Sequence, residues 1–333
     1  MVDLWQAILA ILIALSLLTI IMNISLATVV LTSKRLQTMT HIYLVSLSCA
    51  DTLVGLIVMA AMTVFTIYGY WPLGSTVCTI YIIVDYCCVT VSMLHLDVIA
   101  YQRFKAINDP LAYYAEDRKN YKKTLKHIAA VWTIGIVAWL PAILYFRTKS
   151  MNDGTIDEMD CYFLPTNAYY VVAQTCIVHG IPMIIVVYYC GKTAYMFMGS
   201  KLSKAFTTQL ESSEGNAATN TETNKTISQA YLQKRIQQEK RISKMFGIVI
   251  ICFLICWLPF CIIWPIGAFC PHCVPLKAYE VSYWMIYLNS TMNPALVFIM
   301  NKDYRKALRK TPVSRLNTSD STWYQTTTAP PLQ

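Results

Sequence analysis

The stretch LWQAILAILIALSLLTIIMNISLATVVLTS, residues 4–33, decides the fold class of this chain because it contains no Asp, Glu, Lys or Arg. About 20 apolar residues are enough for a helix to cross a lipid bilayer. The stretch is too long for the apolar core of a signal peptide, and it lacks the basic start of one. It therefore predicts a membrane-spanning helix.

The composition of the whole chain indicates the same class. Of the 333 residues, 56% are hydrophobic and 14% are charged, whereas soluble globular proteins carry about 25% charged residues. This leaves too little charge to cover the surface of a large soluble enzyme. The hydrophobic share also excludes a mostly disordered chain.

Further apolar segments repeat the pattern of the first. The predicted spans are about 4–31, 41–68, 76–101, 127–146, 168–197, 243–268 and 279–299. After the last span, Lys302, Tyr304, Arg305 and Leu308 are typical of an amphipathic helix at the membrane surface. The predicted fold is an all-α membrane protein, a seven-transmembrane helix bundle with a short amphipathic eighth helix.

The positive charges predict one orientation of this bundle. Of the 27 Lys and Arg residues, 24 fall in the segments 32–40, 102–126, 192–244 and 300–333. The positive-inside rule places these segments in the cytoplasm, with the N-terminus outside and the C-terminus inside. The net charge of +9 then reports orientation, not nucleic-acid binding. The seven-helix domain is predicted over 1–310, with a flexible third cytoplasmic loop at 200–235 and a disordered Ser/Thr-rich tail at 311–333.

Three carboxylates, Asp51, Asp85 and Asp97, fall within predicted spans. An ionisable group in a spanning helix costs roughly 2.5–3.5 kcal/mol on insertion scales, so each is a candidate site. Asp85 lies about two helical turns from the outside, and no Lys or Arg occurs in the core of any span to neutralise it, which favours a cationic ligand. Asp51 is a candidate sodium site, because oxygen ligands suit a small hydrated cation. Polar residues that could face it are Asn23, Ser92, Asn289, Ser290 and Asn293.

Four cysteines are predicted on the outer side, an oxidising compartment. A bridge between Cys78 and Cys161 would tie the second external loop to the third helix. Cys270 and Cys273 are the two ends of a short Cys-Pro-His-Cys sequence. A local disulfide is the preferred interpretation there, since a metal site would need more ligands than His272 supplies.

A set of motifs follows one order along the chain: Asn23; Leu47, Ala50 and Asp51; Trp71-Pro72-Leu73-Gly74, Cys78 and Asp85-Tyr86; Arg103; Trp132; Pro182; Phe253 and Cys256-Trp257-Leu258-Pro259-Phe260; Tyr283-Trp284, Tyr287, Asn289-Ser290 and Asn293-Pro294. With these motifs the chain resembles class A, rhodopsin-like, G-protein-coupled receptors of the aminergic branch over about residues 15–310. The segments 71–86 and 269–275 are similar to muscarinic acetylcholine receptors, and 101–104 to histamine receptors that couple to inhibitory G proteins.

The resemblance implies that Asp85 pairs with the ammonium group of a ligand inside a cage of aromatic rings. A cation is attracted to such rings by roughly 0.5–2 kcal/mol per contact. The predicted ligand site comprises Asp85, Tyr86, Gln174, Thr175, Trp257, Phe260, Cys261, Trp264, Tyr283, Trp284 and Tyr287. Catecholamine receptors have serines in this stretch of the fifth helix, whereas this chain has Gln174, Thr175 and Val178. The far end of the predicted pocket therefore departs from the pattern of those receptors.

The conformational switch departs from the family pattern. Gln102 replaces the aspartate before Arg103, Val297 replaces the tyrosine of Asn-Pro-x-x-Tyr, and Cys190 stands at a fifth-helix tyrosine position. Glu239 is the expected resting partner of Arg103. The predicted switch residues are Gln102, Arg103, Glu239, Trp257, Pro259, Asn293, Pro294 and Val297. We predict altered switching between resting and active states, with no sign assigned.

The predicted function is a receptor for a small cationic, biogenic amine-like extracellular ligand that signals through heterotrimeric G proteins. The alternative is an atypical or decoy receptor that couples weakly or constitutively. The expected location is the plasma membrane, with lipid, arrestin and receptor kinases as further partners. We expect no cofactor other than a modulatory sodium ion, and no nucleic acid. The seventh span has no lysine for a retinal Schiff base, and the chain shows neither the internal repeats of a transporter nor the charge rings of a channel. No enzyme motif occurs.

Overall fold

The computed structural model describes residues 2–33, 36, 38–109, 113, 121–157, 160–163, 165, 167–198, 222–270 and 272–309, with backbone only at 2–5, 197–198, 222–236 and 238–240. Over these residues the chain forms helices and no β-strand. The helices are α1 (Val2–Thr32), α2 (Met39–Tyr68), α3 (Gly74–Asn108), α4 (Tyr121–Asn152), α5 (Ala168–Gln174, continued by Thr175–Gly180 and Ile181–Met198), α6 (Glu222–Phe269), α7 (Leu276–Met300) and α8 (Lys302–Leu308). This is the predicted seven-helix bundle with a short eighth helix.

Six of these helices, α1 to α6, are long and apolar enough to cross a membrane. Helix α7 has 25 residues but is more polar, because it carries Asn289, Ser290 and Asn293 on a buried face. The outward faces are apolar, with Ile184 and Ile299 about 70% and 69% exposed. Exposed apolar surface of this extent is expected where a protein contacts lipid.

Several helices extend beyond the predicted spans, because apolarity marks only the portion within the bilayer. Helix α3 continues to Asn108, and α4 begins at Tyr121. Helix α6 begins at Glu222, so residues 222–235 of the predicted flexible loop are helical. The other residues of the predicted loop, 200–221, and the tail 311–333 lie outside the described residues.

Two helices contain a π-helical segment, Val54–Met59 in α2 and Thr175–Gly180 in α5. Such a segment inserts one residue into a helical turn and changes which side chains face the interior. In α5 it brings Thr175, Val178 and His179 into the buried face. This shift positions one wall of the site described below.

The end of the bundle that is predicted to face outward is held by two disulfides, Cys78–Cys161 and Cys270–Cys273. The first joins the loop after α4 to α3, and the second closes the short connection between α6 and α7. Arg147, near the end of α4, donates to Thr79 Oγ1 at 2.8 Å and so adds a contact between α4 and α3. Both predicted cysteine pairs are thus bonded in the structure.

Candidate ligand site between α3, α5, α6 and α7

Asp85 lies at the centre of a small cavity enclosed by α3, α5, α6 and α7. Its carboxylate is 4% exposed and accepts a hydrogen bond from the Tyr287 hydroxyl at 2.9 Å from Oδ2. The cavity is lined by Asp85, Tyr86, Val89, Thr90, His179, Trp257, Phe260, Tyr283, Ile286 and Tyr287. None of these is a lysine or arginine. The lining therefore offers one carboxylate and no side-chain cation to balance it.

Aromatic rings from three helices surround this carboxylate. The hydroxyl groups of Tyr86 and Tyr283 are 3.0 Å apart and join α3 to α7 across the cavity. Tyr283 stacks on Tyr287 with ring centroids 6.2 Å apart, and Phe260 lies 5.3 Å from Tyr283. The free space between the side chains is about 20 Å³. The rings are packed closely and must part before a ligand larger than water can occupy the cavity.

His179 is a member of this wall that sequence reasoning missed. It is 3% exposed, and its ring lies 5.1 Å from Trp257 and 6.0 Å from Phe260. Among the described residues its Nδ1 has no hydrogen-bond partner. A histidine within an apolar span was the available signal, since intramembrane ionisable residues mark functional sites. The site thus includes an imidazole, supplied by α5.

The structure brings only part of the predicted ligand set to this cavity. Gln174, Thr175 and Trp264 line an adjoining pocket, which His179 shares. Gln174 donates to the Ala138 carbonyl at 3.0 Å, so its amide is engaged with α4. Cys261 and Trp284 are half-buried and lie outside the lining of the cavity, although Trp284 packs edge-on against Tyr287 at 5.8 Å.

Asp51 is the centre of a second polar cluster, closer to the end of the bundle that is predicted to face the cytoplasm. Its Oδ1 accepts from the Ser92 and Ser290 hydroxyls at 2.8 Å each, and its Oδ2 accepts from Asn293 Nδ2 at 3.0 Å. Asn23 instead donates to the Ser290 carbonyl at 3.0 Å. Asn289, also predicted to face Asp51, is buried, and its Oδ1 has no hydrogen-bond partner in the described part of the chain.

The C-terminal end of α3 holds Arg103 in a cluster of hydroxyl groups and rings. Arg103 Nη2 donates to Thr40 Oγ1 at 2.5 Å and to the Tyr113 hydroxyl at 3.0 Å. Its guanidinium also lies 5.8 Å from the Phe246 ring. The side chain of Glu239, the expected partner, lies outside the described residues.

The other predicted switch residues that the structure describes lie on α3, α6 and α7. Gln102 is buried beside Arg103. Val297, which stands in place of the family's tyrosine and so offers no hydroxyl group, is 1% exposed. The ring centroids of Trp257 and Phe253 are 5.7 Å apart. Pro259 and Pro265 follow Trp257 along α6. Pro294 lies inside α7, next to the Asn293 that contacts Asp51.

Comparison with known proteins identifies relatives of this seven-helix architecture. The family described as 7 transmembrane receptor (rhodopsin family) matches residues 22–296. The alpha-1A adrenergic receptor of Bos taurus is 29% identical over 296 residues, covering 83% of this chain and 61% of that receptor. The chain therefore spans about three fifths of the length of the adrenergic relatives. The 5-hydroxytryptamine receptor 1D of Homo sapiens is 28% identical, covering 89% of this chain and 85% of the relative.

These relatives refine the expected resemblance. They belong to the aminergic group, but they are adrenergic and 5-hydroxytryptamine receptors, whereas the motifs indicated muscarinic and histamine receptors. The family consists of receptors, not enzymes. Because its pattern covers most of the chain and the helices form the corresponding bundle, the chain belongs to the rhodopsin family of seven-transmembrane receptors.

Proposed function

We propose that this protein is a receptor for a small extracellular cationic amine and signals through heterotrimeric G proteins. The observation that carries the proposal is Asp85, a buried carboxylate enclosed by aromatic rings in a cavity without a lysine or arginine. A protonated amine supplies the missing charge, and the rings of Tyr283 and Tyr287 attract it by cation–π interaction. The relatives named for 5-hydroxytryptamine, itself an amine, support this ligand class.

Binding is coupled to the cytoplasmic side through α6. An amine at Asp85 competes with the Tyr287 hydroxyl and displaces rings that contact Trp257 and Phe260. Helix α6 moves about the irregular turn at Pro259, because a proline removes one backbone hydrogen bond. Arg103 then leaves Thr40 and Tyr113, and a cavity opens for the G protein. The ligand selects between states that already exist.

Sodium is the proposed modulator at Asp51. One carboxylate with the neighbouring oxygens of Ser92 and Ser290 suits a monovalent cation better than a softer metal. The buried Asn289 Oδ1 and Asn293 Oδ1, unpaired among described residues, are further oxygens that fit such an ion. Sodium here would favour the resting state.

The cellular setting is proposed from charge and composition. The protein lies in the plasma membrane, with its N-terminus outside and the basic segments in the cytoplasm. The tail at 311–333 offers Ser and Thr residues to receptor kinases, and phosphorylation would create an anionic surface for arrestin.

Removing the Asp85 charge tests the proposal. We expect Asp85→Asn to weaken amine binding by roughly 100-fold or more, because a charge-assisted hydrogen bond in a buried site is lost. Asp97→Asn is a matched control, since Asp97 is also a buried carboxylate of α3 but does not line the cavity. Binding of acetylcholine, histamine, serotonin, octopamine, tyramine and dopamine to purified receptor provides the measurement. Equal affinities for Asp85→Asn and wild type would refute the anchor.

Ligand-stimulated nucleotide exchange on purified G proteins tests the second half of the proposal. Binding without exchange would identify a decoy receptor, and no contact in the described bundle specifically favours that alternative.

A further inference from the structure

The C-terminal end of α7 has a hydrogen-bond partner for each of its last four backbone carbonyls. These carbonyls have no donor within a helix, so each needs one from outside it. The carbonyl of Val297 accepts from the backbone amide of Asn301 at 3.0 Å. The next three accept from arginine side chains. Guanidinium groups therefore complete most of this helix end.

The two arginines that do so come from different helices. Arg305 of α8 donates to the carbonyl of Phe298 at 2.7 Å and to that of Ile299. Arg241 of α6 donates to the carbonyl of Met300 through Nη2 at 2.8 Å and through Nε at 3.2 Å. Because α8 follows α7 directly, the contacts of Arg305 are local. The contact of Arg241 instead joins the ends of two separate helices.

The geometry and charge of the Arg241 contact favour a defined distance between α6 and α7. Two N–H groups of one planar guanidinium meet the same oxygen, which holds the side chain in one orientation. The aligned peptide dipoles leave partial negative charge at the C-terminus of α7, where a cation is stabilising. Since Arg241 is exposed, solvent weakens this attraction. The contact is thus strong enough to bias the helix ends and weak enough to break.

Arg241 lies far from the turn about which α6 is proposed to move. The stretch of α6 from Arg241 to Pro259 is about 27 Å long. A swing of roughly 10° at Pro259 therefore carries Arg241 by about 5 Å, farther than a hydrogen bond can stretch. The contact with Met300 exists only while the two helix ends are close together.

We propose that Arg241 is a resting-state clamp that ties the end of α6 to the C-terminus of α7 and opposes the outward movement of α6. This rests on the proposed function, in which α6 moves to admit a G protein. Arg103 also meets α6 here, through the Phe246 ring at 5.8 Å. The clamp adds a polar tie between α6 and α7, at the end of α7 where Val297 offers no hydroxyl group.

Distances between two spin labels measure the position of α6 without ligand or G protein. The labels are placed by Lys126→Cys at the start of α4 and Lys244→Cys in α6, both exposed positions, with the exposed Cys49 and Cys176 replaced by serine. This labelled full-length receptor is the parent. We expect Arg241→Met to raise the fraction with the longer label distance about 2- to 12-fold, the effect of one hydrogen bond.

Arg305→Met is the matched control, because it removes the other arginine from the same helix end. Its contacts lie within the continuous α7–α8 segment, so the label distances should stay those of the parent. Arg241→Lys keeps a charged donor and should restore most of the shorter distance. Unchanged distances in Arg241→Met, at the melting temperature of the parent, would overturn the clamp. Equal opening in Arg241→Met and Arg305→Met would also overturn it, since lost charge would then explain both.

Basal nucleotide exchange on purified G proteins separates the clamp from the proposed function. A 2- to 12-fold higher rate in Arg241→Met, together with the longer label distance, supports both. The longer distance without a higher rate on any G protein supports the clamp and contradicts the proposed coupling. A higher rate with unchanged distances contradicts the clamp and leaves the coupling supported.

Discussion

His179 places an imidazole in the wall of the proposed amine cavity. It is buried against Trp257, and its Nδ1 lacks a partner in the described bundle. A ligand with a hydrogen-bonding group at its far end would satisfy this nitrogen. An amine that ends in a bare ring would leave it unpaired, which disfavours that amine.

Replacing His179 by phenylalanine should reduce discrimination between amines. We expect His179→Phe to weaken tyramine about 2- to 12-fold relative to phenethylamine, the range that one neutral hydrogen bond supports. Competition binding with tyramine against phenethylamine, and serotonin against tryptamine, measures the ratio. An equal change for both members of a pair would show that His179 only fills space.

Arg103 illustrates how far a single residue could be predicted. Both Arg103 and its neighbour Gln102 could be assigned from the sequence, because Arg103 matches a linear motif and Gln102 departs from it. The partners Thr40 and Tyr113 were not, because they come from distant segments that only the folded bundle brings together.

Restoring a carboxylate at Gln102 should strengthen the resting state. We expect Gln102→Asp to lower basal nucleotide exchange several-fold, because a carboxylate beside the guanidinium forms a charge-assisted contact. Gln102→Asn, its neutral isostere, should stay near the wild-type rate. If both variants behave alike, charge at this position does not restrain Arg103.

At the scale of helices, apolar runs predicted the existence of every span but not the details that shape the site. Helix ends extend beyond the spans because polar flanks such as 121–126 continue the helix outside the apolar region. The π-helical segment of α5 depends on tertiary packing, and one extra residue rotates the following side chains by about 100°. His179 lies within this segment and is buried, whereas Gln174, which the family resemblance indicated, precedes it.

The contact between α3 and α4 depends on one glycine. A Cβ at Gly135 would lie 2.6 Å from Val91 Cγ2 and 3.3 Å from the Cys87 carbonyl oxygen. We expect Gly135→Ala to destabilise the receptor by about 1–3 kcal/mol, the usual cost of overpacking. Thermal unfolding of detergent-solubilised receptor should show a lower midpoint. Gly191→Ala, where a Cβ meets nothing within 4 Å, is the control and should leave the midpoint unchanged or higher.

For the whole molecule, charge asymmetry predicts the orientation. Of the 27 lysine and arginine residues, 24 fall in the four segments that the positive-inside rule assigns to the cytoplasm. The orientation stays a prediction from sequence alone, because insertion responds to local charge and not to tertiary contacts.

Epitope tags at the two ends of the chain test the orientation. We expect an N-terminal tag to bind antibody on intact cells, and a C-terminal tag to bind only after permeabilisation. Immunofluorescence with and without detergent measures both. Surface labelling of the C-terminal tag in intact cells would reverse the topology and the assignment of the outer disulfides.

The hydroxyl contact between Tyr86 and Tyr283 has a consequence for timing. Both tyrosines line a cavity with about 20 Å³ of free space, so rings such as these must move apart before an amine can occupy it. Association should therefore be slower than simple diffusion allows. The duration of a signal would then depend on how often these rings separate as well as on how tightly Asp85 holds its cation.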